Sequence, residues 1–290
     1  MTLTHDNYYG HEANKTYMSK SQFSRWRHCQ SATLAELNGL YAPEKSTAFL
    51  VGGYIDAALD SPDELERFKA EHPEMFKRDG GLKADFVQAE QIVARCLSDR
   101  LFCLLTGNAP ETRDHVQRQA ILVGEISGVK FRGKADYLLD ETACNIIMRE
   151  FSETSEVLGG PFTEGALVDL KSTKDFGSVW VEPERAKLSW AMAYGYDYQG
   201  AIYRELYRQM TGKVLPFLLV AATKEKETDI GAFYIPSAEL DAALSVVENE
   251  VPHYEQVKRG EVEPTRCGHC EWCKATKQLT SIKNITEDEA

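Results

Sequence analysis

The chain has 290 residues and a formal charge of −12, from 33 lysines and arginines against 45 aspartates and glutamates. Hydrophobic residues make up 43% and charged residues 27%, which excludes a chain disordered throughout. No apolar run approaches the ~20 residues needed to cross a bilayer. The N-terminus shows no basic segment followed by an apolar one, so the expectation is a cytoplasmic protein without a membrane partner. The seven cysteines then read as thiols or metal ligands rather than disulfides.

In chain order, Ser19 or Ser21 caps a helix running to about residue 40, and a second helix covers 46–59. Ser61-Pro-Asp-Glu opens a third, with proline in its first turn. Helical apolar spacing covers 86–105. Residues 115–123 and 128–139 alternate as a hairpin, with Gly124 to Gly128 near the turn. Residues 166–172 form a short apolar run that fits a buried strand. A long helix is expected over 182–209, strands over 215–223 and 230–235, and a helix over 238–258. This order predicts one α/β domain over 1–278: a helical part at about 15–110, a core at about 111–260, cysteines at 267–273, and a loose tail at 279–290.

Charge is uneven along this order. Residues 15–28 carry Lys15, Lys20, Arg25 and Arg27 and no acid, whereas 140–164 hold six acids and one base. Residues 113–134 are also basic, and 225–263 hold ten acids against three bases. Local potential, not the total, decides where a polyanion docks, so −12 does not exclude DNA.

Gly133-Lys-Ala-Asp136 lies on one expected strand and Val168-Asp169-Leu-Lys171 on the next. Side chains alternate along a strand, so Asp169 and Lys171 share a face while Leu170 points into the core. Two carboxylates on adjacent strands suit a hard divalent ion, and a nearby lysine suits hydrolysis of a phosphodiester. The tripeptide alone is common by chance, and an Asp beside a Lys is usually a solvated pair.

The further pattern resembles the PD-(D/E)xK nucleases of the RecB-like branch. Strand-Asp136 and strand-Asp169-x-Lys171 are followed by Gln199-Gly-Ala-Ile-Tyr203, whose ends share one helix face. Asp56, in Leu50-Val-Gly-Gly-Tyr-Ile-Asp56, stands where many members have His. The opening 14–29, with Ser19, Ser21 and Cys29, is similar to that of cluster-bearing members, among them phage proteins related to the exonuclease VIII nuclease domain. The gap between Asp136 and Asp169 departs from the family's tight turn and reads as an acidic inserted loop or an extra strand. Asp140 is a competing first carboxylate.

The resemblance implies a restriction-endonuclease-like core, a central mixed sheet flanked by helices, with an N-terminal helical region and a C-terminal cysteine clasp. It implies Mg²⁺ or Mn²⁺ on Asp56, Asp136, Asp169 and the Leu170 carbonyl. Lys171 orients or activates water, and Gln199 and Tyr203 position the DNA backbone or Lys171. Lys20, Arg25, Arg132, Lys134 and Lys174 are candidate DNA contacts. The expected activity is exonucleolytic, in phage-type recombination or end resection, with a single-strand annealing recombinase as partner and a homo-oligomeric ring.

Cys267, Cys270 and Cys273 have the compact spacing that wraps a [4Fe–4S] cluster. The resemblance supplies Cys29 as the fourth ligand. Zinc is the alternative, with His28 or His269 available to it. Cys96, Cys103 and Cys144 read as core thiols, His115 and His253 as surface residues, and Tyr194, Tyr196 and Tyr198 as packing residues. Two other functions remain open: a DNA-binding accessory protein of the same fold, and a redox or metal sensor built on the cysteines.

Overall fold

The computed structural model describes residues 2–43, 46–153, 162–182 and 185–282. Strands β1 (Val116–Ile126) and β2 (Val129–Leu139) pair antiparallel in one register, interrupted at Gln119 and Asp136. Ser127 and Gly128 both take positive φ, 48° and 78°, which gives the two-residue turn the twist a hairpin needs. β3 (Ala166–Thr173) lies antiparallel to β2, and β6 (Phe217–Thr223) lies parallel to β3. β7 (Ile230–Tyr234) closes the mixed sheet in the order β1-β2-β3-β6-β7.

A parallel pair needs a long crossover. The segment between β3 and β6 supplies it with a small hairpin of β4 (Val179–Val181) and β5 (Ala186–Leu188), then helices α9 (Trp190–Ala193) and α10 (Tyr196–Thr211). The long helix expected over 182–209 is therefore corrected. Ser189 caps a new start by accepting the Met192 N–H, and Gly195 at φ 67° breaks the helix again.

The N-terminal helix expected to run to residue 40 is also two. α2 (Lys20–His28) and α3 (Gln30–Leu37) meet at Cys29, whose extended backbone ends one and begins the other. A short α1 (His11–Thr16) precedes them. α4 (Thr47–Asp60) and α5 (Pro62–Glu71) start where expected, on the hydroxyls of Ser46 and Ser61. The 86–105 helix divides into α6 (Ala84–Leu97) and α7 (Arg100–Leu105), because Asp99 leaves helical geometry and caps the second. The insertion after β2 begins as α8 (Glu141–Glu150), neither loop nor strand; residues 154–161 lie outside the described ones. α11 (Ser237–Lys258) and a short α12 (Glu271–Ala275) end the helices, and residues 283–290 of the expected tail are also outside the described ones.

Each sheet face carries its own core. Leu167, Leu219 and Ala221 pack with Ile202 and Leu206 of α10, Val247 of α11, and Phe23 and Trp26 of α2. Val168, Leu170 and Val220 face the other way, onto Tyr54 and Ile55 of α4, Ile92 of α6 and Ile147 of α8. Cys96 and Cys144 are fully buried there, while Cys103 keeps some exposure. Among the described residues, no helix is long and apolar enough to cross a membrane.

One interruption positions everything below. β2 pairs with β3 only at Tyr137–Val168, Leu138–Leu167 and Leu139–Ala166. Beyond that point β2 leaves its neighbour and takes up Met18 instead: the Met18 N–H donates to the Lys130 carbonyl at 2.8 Å, and the Arg132 N–H to the Met18 carbonyl at 2.9 Å. The two strands thus part like a wedge, just where Asp136 and Asp169 stand.

Candidate active site

Parting the strands frees the backbone N–H of Leu170, a donor that cannot be left buried and unpaired without cost. Asp136 Oδ2 accepts it at 2.8 Å, and Gln119 Nε2 reaches Oδ1 at 3.4 Å. Gln119 manages this from a strained backbone, φ 52°. Asp169 is only 1% exposed and accepts a hydrogen bond from Gln199 Nε2 on Oδ1. Its Oδ2 pairs with Lys171 Nζ, yet receives no hydrogen bond of acceptable geometry.

Electrostatics draw Asp56 of α4 into the same group. Burial raises the Asp136 carboxyl well above the usual range, and Asp169 and Asp56 raise it further. Loss of hydration pushes Asp56 up to about 7, with Asp169 adding to it and Lys171 and Lys134 opposing. Asp56 itself keeps solvent contact, so part of that effect is screened. Burial works to lower the Lys171 pKa, but Asp169, Asp136 and Tyr196 overcome it, and the ammonium is held above its ordinary value.

The donor set fits a hard divalent cation. It offers carboxylate oxygens on two strands and a helix, one of them buried without an aligned donor, and charge that raises two neighbouring carboxyls. The three carboxylates are not drawn as tight as the cysteines described below, whose ligand atoms lie within 4.8 Å of one another.

Lysines and aromatic rings line the site. Lys171 Nζ lies 4.9 Å from the Tyr196 ring centroid and Lys20 Nζ 5.4 Å from the same ring. Lys20 also donates to the Tyr194 carbonyl at 3.0 Å, and burial together with Lys171 pushes its pKa down to about 8. Lys134 Nζ lies 4.6 Å from the Tyr9 ring and 5.3 Å from Tyr8. The tyrosines expected only to pack thus do more: Tyr196 lies under two ammonium groups, and Tyr198 accepts a hydrogen bond from Arg27 at 2.9 Å.

The structure brings together Asp56, Asp136, Asp169, Lys171, Gln199, Lys20 and Lys134. Gln199 holds Asp169 rather than reaching Lys171. Tyr203 is buried against β2, so close that a Cβ on Gly133 would sit 2.7 Å from its ring; it backs the site and does not face solvent. Other expected contacts fall elsewhere. Arg132 is 2% exposed and binds the Tyr8 carbonyl and Asn14, so it anchors the N-terminal segment and offers nothing to DNA. Arg25 pairs with Glu36 at 3.3 Å on the outer side of α2. Lys174, exposed beyond the end of β3 and 3.7 Å from Asp175, does lie near the site, lining a cavity with Trp190 and Tyr194. Asp140 caps α8 and pairs with His115, which removes it as a rival carboxylate. Sequence reasoning missed Gln119 and Arg27, whose roles arise from contacts across the fold with no local signal.

The second cluster joins the two ends of the chain. Cys29, Cys267, Cys270 and Cys273 place their sulfurs within 4.8 Å of one another, with Cys29 to Cys273 at 3.6 Å and Cys267 to Cys273 at 4.0 Å. All four are free thiols. The N–H of Cys270 donates to the Cys267 sulfur at 3.3 Å, and that of Cys273 to the Cys270 sulfur at 3.4 Å. Within this coupled group, backbone donors from Cys270 and His269 lower the Cys267 pKa against burial, while burial raises those of Cys29 and Cys270. Around them Ser31 N–H bonds the Thr265 carbonyl at 3.0 Å and Trp272 Nε1 bonds the Ser31 hydroxyl at 3.0 Å. His28 and His269 form a further possible group with Cys267.

Comparison with known proteins bears on both sites. No curated protein matches the chain. Among solved structures, the crystal structure of a "Putative exonuclease" from Eubacterium rectale is similar to it, with 36% sequence identity and a TM-score of 0.82, over 99% of this chain and 97% of that one. A family described as a PDDEXK-like domain of unknown function (DUF3799) matches residues 19–149 and 162–276. The sheet, the parted strands with their carboxylates, and these matches agree: the chain belongs to that PDDEXK-like family.

Proposed function

We propose that this protein is a metal-dependent deoxyribonuclease that hydrolyses phosphodiester bonds, working from DNA ends. The observation that carries the reading is the meeting of Asp136, Asp169 and Lys171 where β2 and β3 part. The name of the similar structure from Eubacterium rectale supports exonuclease over endonuclease. A service in phage-type recombination or end resection goes with that reading.

Asp56, Asp136 and Asp169, with the Leu170 carbonyl, would hold Mg²⁺ or Mn²⁺. A divalent ion there supplies Lewis-acid polarisation of the phosphoryl oxygen and offsets the carboxylate charge. Gln199 fixes the Asp169 carboxylate, and the Leu170 N–H fixes Asp136, so both present set lone pairs. With no ion bound, Asp169 and Asp136 hold Lys171 as an ammonium. It steadies the charge that builds on the phosphate and orients the nucleophile by hydrogen bonding. Lys20 and Lys134 hold the backbone to either side, through phosphates and therefore with little sequence preference.

The four cysteines form a metal clasp that keeps α2 and α3 against the C-terminal segment. The family resemblance supports a [4Fe–4S] cluster in it. One observation favours zinc: separations of 3.6 and 4.0 Å match the ~3.8 Å edge of a tetrahedron of thiolates about 2.3 Å from one ion. Metal content and the visible spectrum of anaerobically purified protein separate the two.

The test of activity is a time course on linear and circular DNA labelled at 5′ or 3′ ends, with and without Mg²⁺. Linear DNA should shorten from an end in a Mg²⁺-dependent manner. Cutting of circular DNA alone would remove the exonuclease assignment, and no cutting of either would remove the nuclease.

A further inference from the structure

The cations of the carboxylate site rest on aromatic rings, and in each group the outermost ring is open to solvent. On one side Lys134 lies over Tyr9, which is 70% exposed. On the other, Lys20 is held by the carbonyl of Tyr194, itself 48% exposed, with its ring 6.1 Å from Tyr196. Both sides reach the carboxylates: Lys134 acts on Asp56, and Lys20 on Lys171 and Asp169. At the site, the cations against these rings are Lys20, Lys134 and Lys171.

An intact duplex keeps its bases stacked inside and shows two rows of phosphates, which calls for a broad basic face and gives exposed tyrosines nothing to stack on. A single strand presents one row of phosphates and free base faces. Cations that track the backbone, alternating with exposed aromatic rings, are the equipment that binds such a strand. Resting on the nuclease reading of the same site, we propose that it takes DNA as a single strand, with phosphates at Lys20 and Lys134 and bases stacked on Tyr9 and Tyr194. A duplex end then has to fray before the scissile phosphate reaches the carboxylates.

The test is binding of a fluorescent deoxythymidine oligomer and of a blunt duplex of equal length, by anisotropy, to the full chain without added divalent ion. The single strand should bind about tenfold or more tightly than the duplex. Tyr9→Ala and Tyr194→Ala should each cost about tenfold in single-strand affinity, the worth of one stacked base. Tyr9→Phe and Tyr194→Phe should keep it, with unchanged melting temperatures in all four. Equal or tighter binding of the blunt duplex overturns the proposal, as do alanine variants that bind as the wild type does. Cleavage is scored separately in Mg²⁺. A protein that prefers single strands but cuts nothing loses the nuclease reading and keeps this strand site; one that cuts blunt duplex without any single-strand preference loses only the strand site.

Discussion

The carboxylate site and the cysteine clasp each crowd groups that repel once ionised, but they are built differently. Asp136 and Asp169 stand on neighbouring strands, so regular backbone geometry places them, and Lys171 partly compensates their charge. The clasp has no such frame. Cys29 sits in a break between two helices, and its partner Cys273 lies 244 residues further on, in the first turns of a five-residue helix. The carboxylates are held by the fold, whereas the cysteines hold part of the fold.

That contrast is open to breakage at several points. The largest effect is expected from Asp169→Ala, which should remove DNA cleavage to below detection and leave the metal content of the clasp near wild type, while losing the stability of its contacts with Gln199 and Lys171. Cys29→Ser should do the reverse. It should abolish stoichiometric binding of the clasp's metal and lower the melting temperature, since structural metal binding contributes to folding directly. Cleavage per folded molecule should survive. Loss of cleavage equal to that of Asp169→Ala, with folding intact, would show that the clasp belongs to the chemistry.

Gln199→Leu removes a hydrogen bond to a buried charged acceptor, about 1.5–3 kcal/mol. A fall of about ten- to a hundredfold in cleavage is expected, together with a loss of stability of comparable size. Gly133→Ala forces a methyl onto the Tyr203 ring and should cost about 1–3 kcal/mol by overpacking, measured by denaturant unfolding.

The smallest effect concerns pH. Loss of hydration raises the folded pKa of Asp56 from its unfolded value near 4 toward about 7, less whatever its exposure screens, so in that window the native state binds more protons than the unfolded one. With no divalent ion added, its contribution to stability is present below about pH 4 and is lost as pH rises toward 7. Asp56→Asn should flatten that part of the melting profile. A wild-type profile indistinguishable from the variant's would place Asp56 outside the coupled group.

Strand alternation made Asp136, Asp169 and Lys171 legible from sequence, because a period of two needs no tertiary knowledge. The helix starts at Ser46 and Ser61 were legible for a similar local reason. The breaks at Cys29 and Gly195 were not: nothing local distinguishes a cysteine that leaves helical geometry to reach residues 267–273. Arg132 misled for the opposite reason. Its charge suggested a surface, but the N-terminal segment folds over it and occupies its donors. Tyr196 lacked any signal, since its place between Lys20 and Lys171 depends on where α2 lies against α10.

α2 has Lys20 at one end and Cys29 at the other, nine helical residues that span roughly 13 Å. During synthesis Cys29 is made early, and Cys267, Cys270 and Cys273 only much later. A chain stopped short of residue 267 has its strands and carboxylates but no closure for the helix that carries Lys20. Closing the four thiols fixes the end of the helix whose other end carries Lys20.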